Sequence, residues 1–302
     1  MLPIRVRDMN ILPTGQQFLI ESGPYTAVVT EVGSTLRSLT RDGVELLHTF
    51  PEDGSPSSSM GRQLVPWPNR IRDGRYTFNG VDQQLPISEV PRNNAIHGLG
   101  SDHAWRLVSH DPDEVVLTTV IYPQTGWDGV LEVEISHALD DGGLTVTVTA
   151  RNAGQKALPY GYGTHPYLAV DTTAVLTSPF PYELAVDDRL LPVELTDVTA
   201  EHDFREPREI GSTEFDSAFR IDEGPWELTV ADGTRTIAMW ADATLPWCQI
   251  YVPPTRNAIA VEPMTCAADA FNEGPTHESL IVLQPGAETS SRWGIRVDAV
   301  EN

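Results

Sequence analysis

LEVEI at residues 131–135 places three apolar side chains on one face of an extended chain and two glutamates on the other. LTVTVTA at residues 144–150 repeats this alternation, and DDGG at residues 140–143 lies between the two segments. A period of two is typical of a half-buried strand, and a glycine-containing turn between two such segments is typical of a β-hairpin. This stretch therefore predicts two antiparallel strands with one buried face.

The same pattern continues on both sides of this hairpin. Residues 226–230 and 235–240 predict a second hairpin, with its turn at residues 231–233. The chain has 23 glycines and 24 prolines, which interrupt nearly every candidate helix, so only short helical turns are expected, around residues 267–271. Further strands are predicted at residues 25–32, 75–78, 105–109, 115–121, 249–252 and 281–283.

An antiparallel sheet with one apolar face has to bury that face against a second layer. We therefore predict an all-β fold, a large antiparallel two-sheet β-sandwich with few short helices. Residues 51–59 indicate a flexible loop and residues 197–210 an irregular acidic stretch, but strand-like patterning resumes on both sides of each. Neither is expected to be a linker, so the prediction is a single domain over residues 1–302, since β-sandwiches above 200 residues often form one domain.

Charge and composition exclude several functional classes. The chain has 43 acidic and 20 basic residues, and a net charge of −23 disfavours both nucleic acid and anionic membranes as partners. Hydrophobic residues make up 40% of the chain, enough for a substantial core. Cys248 and Cys266 lie in apolar, strand-like sequence and are expected to be buried free thiols. The sequence shows neither a signal peptide nor an apolar run of membrane-spanning length, so we expect a cytoplasmic protein.

Two histidines and one glutamate stand out as candidates for chemistry. His97, His165 and Glu262 lie far apart in the chain, each in a short polar segment flanked by strand-like sequence. Histidine titrates near neutral pH and partial burial raises the pKa of a carboxyl group, so the three residues suffice for proton transfer to and from a small molecule. The fold has to bring them together. Their segments are NNAIHG at residues 93–98, GTHPY at 163–167 and AVEPM at 260–264.

The order of the polar motifs resembles that of the aldose 1-epimerase (galactose mutarotase-like) family, from about residue 20 to the C-terminus. One departure concerns the second histidine, where the common family form is Asn-His-Ser/Thr-Tyr and this chain has THPY at residues 164–167. This variant resembles a bacterial subgroup that includes sulfoquinovose mutarotases. The motifs that carry the resemblance are, in order, PNRI at residues 68–71, His97-Gly98, His165, Phe215-Asp216 and Glu262.

The resemblance implies an isomerase that interconverts the α and β anomers of a free sugar by opening and closing the ring. It implies that Glu262 is the base and His165 the acid. His97 would hydrogen-bond the ring oxygen or a neighbouring hydroxyl, Arg70 would bind paired hydroxyls or a sulfonate, and Asp216 would accept hydrogen bonds from two hydroxyls. The expected partner is a small-molecule sugar, a hexose or a sulfosugar, and no metal, nucleotide or redox cofactor is expected.

Each of these residues also has a purely structural interpretation. Glu262, which precedes Pro263 and is expected at the end of a buried strand, could pair with a nearby arginine, and His165 could pack among the tyrosines around it. His97 could lie in a surface loop, Arg70 in a buried ion pair, and Asp216 in a simple turn. These alternatives make different predictions about which side chains line a common cavity.

Several further residues are weaker candidates. Trp67, Trp127 and Trp247 lie near turns or motifs, where a ring could face a sugar, but tryptophan is mostly buried and we expect packing. Arg62 is expected to be a solvated loop charge, with a second cation for an anionic ligand as the alternative. The other six histidines show no metal-ligand spacing; they are His48, His103, His110, His137, His202 and His277.

Two other functions compete with anomer exchange. Asp216 and Glu262 could be the carboxylate pair of a glycoside hydrolase or lyase, for which long exposed aromatic platforms would be the sign, and none is evident. The chain could instead be a non-catalytic sugar-binding regulator. Against this, binding alone needs neither an acid nor a base, and both histidines and Glu262 are present.

Overall fold

The computed structural model describes residues 11–298. Apart from strands, the regular structure of these residues consists of two 3-10 helices, Val90–Arg92 and His277–Ser279. In chain order the strands are β1 (Gln17–Ser22), β2 (Tyr25–Thr30), β3 (Thr35–Arg41), β4 (Val44–Glu45), β5 (Gln63–Leu64), β6 (Arg70–Arg72), β7 (Arg75–Phe78), β8 (Val81–Gln84), β9 (Asn94–Ile96), β10 (Arg106–His110), β11 (Glu114–Ile121), β12 (Leu131–Asp140), β13 (Gly143–Asn152), β14 (Leu158–Tyr160), β15 (Gly163–Thr164), β16 (Tyr167–Leu168), β17 (Val175–Thr177), β18 (Tyr182–Val186), β19 (Pro192–Asp197), β20 (Arg208–Glu209), β21 (Asp216–Arg220), β22 (Trp226–Ala231), β23 (Thr236–Ala241), β24 (Trp247–Tyr251), β25 (Ile259–Met264), β26 (Ile281–Leu283) and β27 (Glu288–Asp298).

The hairpin predicted from residues 131–150 is confirmed. β12 and β13 pair antiparallel, and their ladder ends at Asp140 and Gly143 around a two-residue turn. Gly143 has a φ of 119°, and a Cβ there would lie 2.4 Å from the carbonyl oxygen of Ile295, so this corner requires glycine. The second predicted hairpin is β22–β23. The other predicted strands correspond to β2, β7, β10, β11, β24 and β26.

Two large antiparallel sheets dominate the architecture. One has nine strands in the order β10-β11-β12-β13-β27-β23-β22-β17-β20. The other has eight, in the order β19-β18-β21-β24-β25-β15-β5, with β16 also paired to β25. The predicted all-β sandwich is confirmed. The two-sheet prediction omitted a separate four-stranded sheet, β1-β2-β3-β4, and the two-stranded ladders β14–β26, β6–β9 and β7–β8.

The two large sheets meet in an aromatic and aliphatic core. Trp226 of β22 packs edge-on against Phe180, with ring centroids 5.0 Å apart, and Phe180 stacks on Phe219 of β21 at 6.2 Å. Elsewhere Trp293 of β27 donates a hydrogen bond from Nε1 to the hydroxyl of Tyr162 at 2.8 Å. The largest cluster of buried hydrophobic side chains includes residues of both sheets. Each large apolar side chain buried in this way stabilises the fold by about 1.5–3 kcal/mol relative to exposure.

The helical turns predicted around residues 267–271 are wrong, because this segment forms a hydrogen-bonded turn. Asp269 has a φ of 60°, in the left-handed region. Its N–H donates to the carbonyl of Arg70 at 2.6 Å, and its Oδ1 accepts from the N–H of Arg72 at 2.8 Å. The left-handed conformation at Asp269 interrupts a right-handed helical turn. The turn instead holds β6 in place.

Two smaller predictions can be compared with the structure. Cys248 and Cys266 are free and buried, as expected. The acidic stretch at residues 197–210 is irregular apart from the two-residue strand β20 and the last residue of β19.

The described part of the chain, residues 11–298, contains no helix with the length and hydropathy of a membrane-spanning segment.

Candidate active site

The five residues singled out in the sequence line one cavity of about 460 Å³, within the usual size range of small-molecule sites. Arg70 begins β6, His97 follows β9, and His165 lies between β15 and β16. Asp216 begins β21, and Glu262 lies within β25. The other residues that line the cavity are Ser58, Ser59, Asn69, Ser88, Glu89, Pro91, Arg92, Ile96, Tyr167, Gln249 and Tyr251.

The register of the eight-stranded sheet explains why His165 and Glu262 meet. β15 and β16 pair with β25 in one continuous register, in which His165 lies opposite Glu262. On the other side of β25, Gln249 lies opposite Glu262. Side chains two residues apart on a strand point to the same face, so Tyr167 and Tyr251 belong to this face as well. Sheet pairing alone therefore aligns the polar row His165–Glu262–Gln249.

Two alanines lie on the same face of the sheet as the polar row. Ala260 lies in the ladder between the two tyrosines, and Ala218 of β21 lies opposite Gln249. Asp216, two residues before Ala218, pairs with Tyr251 and so joins the same face. The small side chains of Ala260 and Ala218 thus lie among the titratable and aromatic residues on this face of the sheet.

Two prolines interrupt the ladder beside the His165–Glu262 pair. Pro166 and Pro263 have no N–H to donate, and the partner strand is split at this point into β15 and β16. The N–H of Val261 still donates to the carbonyl of Pro166 at 3.2 Å. The sequence suggested that Glu262 lies at a strand end, which is wrong because β25 continues through Pro263 to Met264. A proline can occupy a strand position where the ladder does not need its missing N–H.

His165 and Glu262 are in direct contact. Nε2 of His165 lies 3.3 Å from Oε1 of Glu262, and the two side chains are only 8% and 3% exposed. The imidazole stacks on the ring of Tyr167, with centroids 5.1 Å apart and an interplanar angle of 15°. Its edge meets the ring of His97, with centroids 5.4 Å apart. Tyr167 and His97 together fix the plane of the imidazole.

Burial sets the charge of this pair. It lowers the pKa of His165 to about 3, to which the nearby Arg62 charge adds. Burial also raises the pKa of Glu262 well above its usual value; the charge of Asp216 raises it further, and Arg70 opposes the shift. A dry site disfavours charged forms, so burial favours a protonated Glu262 beside a neutral His165.

His97 is fixed as a hydrogen-bond donor. The backbone N–H of Asn69 donates to its Nδ1 at 3.3 Å, so Nε2 is the nitrogen that carries the proton in the neutral ring. Burial, the neighbouring His165 and the charge of Arg70 hold the pKa of His97 well below its usual value. His97 has a φ of 65° and is followed by Gly98, where a Cβ would lie 2.1 Å from the carbonyl oxygen of Val65. This tight turn presents the ring to the cavity.

Arg70 both forms a buried ion pair and lines the cavity. Its Nε and one terminal nitrogen donate to Glu89 at 2.9 and 3.0 Å, and the other terminal nitrogen donates to Oδ1 of Asn69 at 3.2 Å. Glu89 also accepts from Arg92 at 3.1 Å and from Asn94 at 2.9 Å. A guanidinium has five N–H donors, so two donors of Arg70 remain for a ligand.

A directional chain of amides leads from Arg70 to Asp216. Asn69 accepts from Arg70 and donates from Nδ2 to Oε1 of Gln249 at 3.1 Å. Gln249 in turn donates from Nε2 to Oδ1 of Asp216 at 2.9 Å. Burial raises the pKa of Asp216, while Arg70, Arg92 and the Gln249 amide oppose that shift. The chain leaves the second carboxylate oxygen of Asp216 as an acceptor at the cavity.

Comparison with known proteins shows which family has this arrangement. Residues 16–296 match the family model of aldose 1-epimerases. The chain belongs to the aldose 1-epimerase family. It is 32% identical over 285 residues to YihR of Escherichia coli K12, a protein of uncharacterised function, with 92% of each chain covered. It is 26% identical over 291 residues to YphB of the same organism, also uncharacterised, covering 93% of this chain and 98% of YphB.

Solved structures share the fold of this aldose 1-epimerase family member at lower identity. A GalM/aldose epimerase homologue from C. elegans superposes with a TM-score of 0.83 at 17% identity, covering 95% of this chain and 99% of that one. Galactose 1-epimerase from Lactobacillus acidophilus NCFM superposes with a TM-score of 0.76 at 19% identity, covering 92% of each chain. At these low sequence identities, the structural similarity establishes the fold and nothing more.

Sequence reasoning missed several cavity residues of this aldose 1-epimerase family member. Tyr167 was detectable, because it follows His165 by two residues and period two places both on one face. Gln249 and Tyr251 depend on the β24–β25 register, which the sequence does not reveal. Glu89 gave no signal, since it lies in an irregular segment and reaches Arg70 only in the folded chain.

Other sequence candidates lie outside the cavity. Trp67, Trp127 and Trp247 are all buried, at 2%, 1% and 0% exposure, and none of them lines it. Arg62 pairs with Asp102 at 2.8 Å and lines an adjoining cavity that shares His97 with the candidate site. Residues 11–298 contain no group of three or more His, Cys, Asp or Glu that could hold a metal ion.

Proposed function

We propose that this protein is an aldose 1-epimerase, a mutarotase that interconverts the α and β anomers of a free monosaccharide. The observation that carries the proposal is the contact of 3.3 Å between His165 and Glu262 at the floor of a sugar-sized cavity. The two oxygens that exchange protons in this reaction, O1 and the ring oxygen O5, are both bonded to C1. An acid and a base that lie side by side can therefore serve both.

The proposed ring opening moves two protons. The carboxylate of Glu262 accepts the proton of the O1 hydroxyl, while the imidazolium of His165 donates a proton to O5. The C1–O5 bond breaks and an aldehyde forms at C1. Rotation about the C1–C2 bond presents the other face of the aldehyde. Ring closure reverses the roles, since His165 now accepts the O5 proton and Glu262 returns a proton to O1.

One shared proton is sufficient for this cycle. Burial favours the form in which Glu262 is protonated and His165 is neutral. Transfer of that proton from Oε1 to Nε2 prepares the pair for ring opening; the opening step then delivers it to O5 and gives the carboxyl group the proton of O1. The pair stays neutral overall, so no uncompensated charge has to be desolvated.

His97, Arg70 and Asp216 are the proposed binding residues. The N–H at Nε2 of His97 suits an acceptor such as the ring oxygen or a neighbouring hydroxyl oxygen. Asp216 accepts from sugar hydroxyls, and the two remaining donors of Arg70 suit their oxygens. The rings of Tyr167 and Tyr251 supply apolar faces for the C–H groups of a sugar.

We propose a hexose or a sulfosugar as the substrate. Arg70 and Arg92 both contact Glu89, so this three-residue cluster carries one net positive charge at the cavity wall. A neutral hexose would use the remaining donors as ordinary hydrogen bonds. A sulfonate would add a charge-assisted hydrogen bond at the same place.

Anomer exchange followed by NMR and polarimetry tests the proposal. The freshly dissolved α anomers of glucose, galactose and sulfoquinovose are each mixed with the protein, with Glu262→Gln and with Glu134→Gln. The last variant makes the same chemical change at an exposed position on β12 and serves as the matched control. Acceleration by the wild type and by Glu134→Gln, but not by Glu262→Gln, supports the mutarotase.

Two further measurements, sugar binding and incubation with a glycoside, separate the competing functions. Binding of a sugar without faster anomer exchange would indicate a regulator and would overturn the proposal. Release of a reducing sugar from a glycoside would indicate a hydrolase. The geometry favours anomer exchange over hydrolysis because the group in contact with Glu262 is an imidazole, and Asp216 is instead bound to Gln249.

A further inference from the structure

His202 lies behind the candidate site, outside the cavity, and both of its ring nitrogens face acceptors. Nδ1 is 2.6 Å from Oε1 of Glu183, and Nε2 is 2.9 Å from the carbonyl oxygen of Glu214. A neutral imidazole has one N–H and can donate to only one of these groups. A carboxylate and a carbonyl are both acceptors, so the geometry is that of an imidazolium with two N–H donors.

Glu183 is positioned to stabilise the positive charge of the His202 imidazolium. It lies on β18 with its side chain 11% exposed, and its other oxygen accepts from the hydroxyl of Thr199 at 3.0 Å and from the Thr199 N–H at 3.3 Å. Burial opposes the charged form of His202, but the hydrogen bond and charge of Glu183 outweigh it and raise the pKa of His202.

Within residues 11–298, the hydrogen bonds and ring contacts of the His202 imidazole involve no cation. Glu214 and Phe215 directly precede β21, and the ring of Phe219 comes from β21 itself. On its own loop the charge of Glu201 favours the imidazolium. Asp203 beside it is paired with Arg205, also on this loop.

His202 is connected to the cavity through Phe215. Its ring stacks on Phe215, with centroids 4.9 Å apart and an interplanar angle of 23°. Asp216 is the next residue in the chain. The carbonyl of residue 214 and the ring of residue 215 are therefore both fixed by His202, and the start of β21 is fixed with them.

We propose that His202, held as an imidazolium by Glu183, is a positioning residue that fixes Asp216 in the sugar site. This inference rests on the proposed function for its consequence, which is tighter sugar binding. Deprotonation of His202 removes the N–H donor to the Glu214 carbonyl or to Glu183, and the anchor of Asp216 loosens. Sugar affinity then falls as the pH rises through the pKa of His202, while the acid and base, His165 and Glu262, remain in place.

NMR titration tests the anchor without any need for activity. In protein labelled with ¹⁵N-histidine, His202 is expected to titrate above its ordinary pKa and at lower pH in Glu183→Gln. The ¹³C carboxyl resonance of Asp216, assigned by its loss in Asp216→Asn, is expected to show an inflection at the pH where His202 titrates. Identical Asp216 titration curves in the wild type, Glu183→Gln and His202→Gln would overturn the proposal, even if anomer exchange is confirmed.

Kinetics tests the consequence for the sugar. We expect KM to rise about fivefold across the His202 titration with kcat nearly constant, and the rise to move to lower pH in Glu183→Gln. Glu194→Gln, an exposed change on the neighbouring strand β19, is the matched control and should follow the wild type. If the pH dependence of KM is the same in Glu183→Gln and in the wild type, the contact between His202 and Glu183 is only structural, and the positioning role is overturned. If His202→Gln does not fold, Glu183→Gln, which keeps the shape of the side chain, decides the matter.

Discussion

Gln249 lies opposite Glu262 in the β24–β25 ladder and donates a hydrogen bond of 2.9 Å to Asp216. The amide thus stands between two carboxyl groups on one face of the sheet. It holds Asp216 near enough for its charge to raise the pKa of Glu262. The binding residue and the proposed base are therefore electrostatically coupled through the floor of the cavity.

Asp216→Asn is expected to shift the alkaline limit of activity. In the proposed cycle the rate falls once Glu262 loses the shared proton, so the raised pKa of Glu262 sets that limit. Removing the Asp216 charge lowers this pKa, and the alkaline limb of kcat/KM moves to lower pH. Asp113→Asn, exposed and distant from the cavity lining, is the control. An unmoved limb in Asp216→Asn would contradict the coupling.

Glu262→Gln and His165→Asn are each expected to lower kcat by about 10²–10⁴-fold, the usual contribution of positioned proton transfer. Both changes keep most of the side-chain shape, so the circular dichroism spectrum should match that of the wild type. His97→Asn should raise KM as well as lower kcat, since the ring is proposed to hold the sugar. Wild-type exchange rates in Glu262→Gln would show that the base is misassigned.

The acid limb of kcat/KM is expected far below the ordinary titration of histidine. Burial lowers the pKa of His165 to about 3, so the pair gains its second proton only near that pH. The rate should stay nearly constant as the pH falls from 7 toward 4, measured where circular dichroism shows folded protein. A fall of activity centred near pH 6.5 would mean that His165 is hydrated and the site open.

His137 is expected to limit stability in acid. Its side chain is fully buried on β12, and neither ring nitrogen has a hydrogen-bond partner among residues 11–298. Burial lowers its pKa to about 3. Below about pH 6.5 the histidine binds a proton in the unfolded chain but stays neutral in the folded chain. The contribution of His137 to the free energy of unfolding therefore falls by about 1.4 kcal/mol per pH unit, until the pH reaches the pKa of the folded state.

His137→Leu removes that proton uptake. We expect the variant to gain about 1–3 kcal/mol at neutral pH, because a buried unpaired polar ring is replaced by an apolar side chain. The gain should grow as the pH falls from 6.5 toward 4. Urea unfolding at several pH values measures it, with His110→Leu at an exposed position as the control. Parallel pH curves for His137→Leu and wild type would contradict the assignment.

Local patterns were enough to predict much of the sheet. Alternation at residues 131–150 and the intervening turn fixed a hairpin because each depends only on neighbouring residues. The prolines misled at Glu262, where a strand was expected to end and instead continues. Proline forbids one hydrogen bond rather than extended backbone, and whether that bond is needed depends on the partner strand.

The candidate site required information that is not local. The sequence motifs supplied His97, His165 and Glu262, yet only the strand register shows that the last two face each other. Glu89 and Gln249 were not predicted from the sequence, because their partners lie 19 and 180 residues away in the chain. His202 escaped for the same reason, since Glu183 and Glu214 reach it from separate strands and loops.

The pair of prolines beside the acid and base has a mechanical consequence. In an unbroken ladder, tilting one residue strains the amide bonds on both sides of it. Here two of those amide hydrogens are absent from the covalent structure, while Val261 and Pro166 keep the strands aligned. The backbone at His165 and Glu262 can therefore shift slightly with fewer ladder hydrogen bonds to break, and this freedom lies beside the two groups that exchange protons in the proposed reaction.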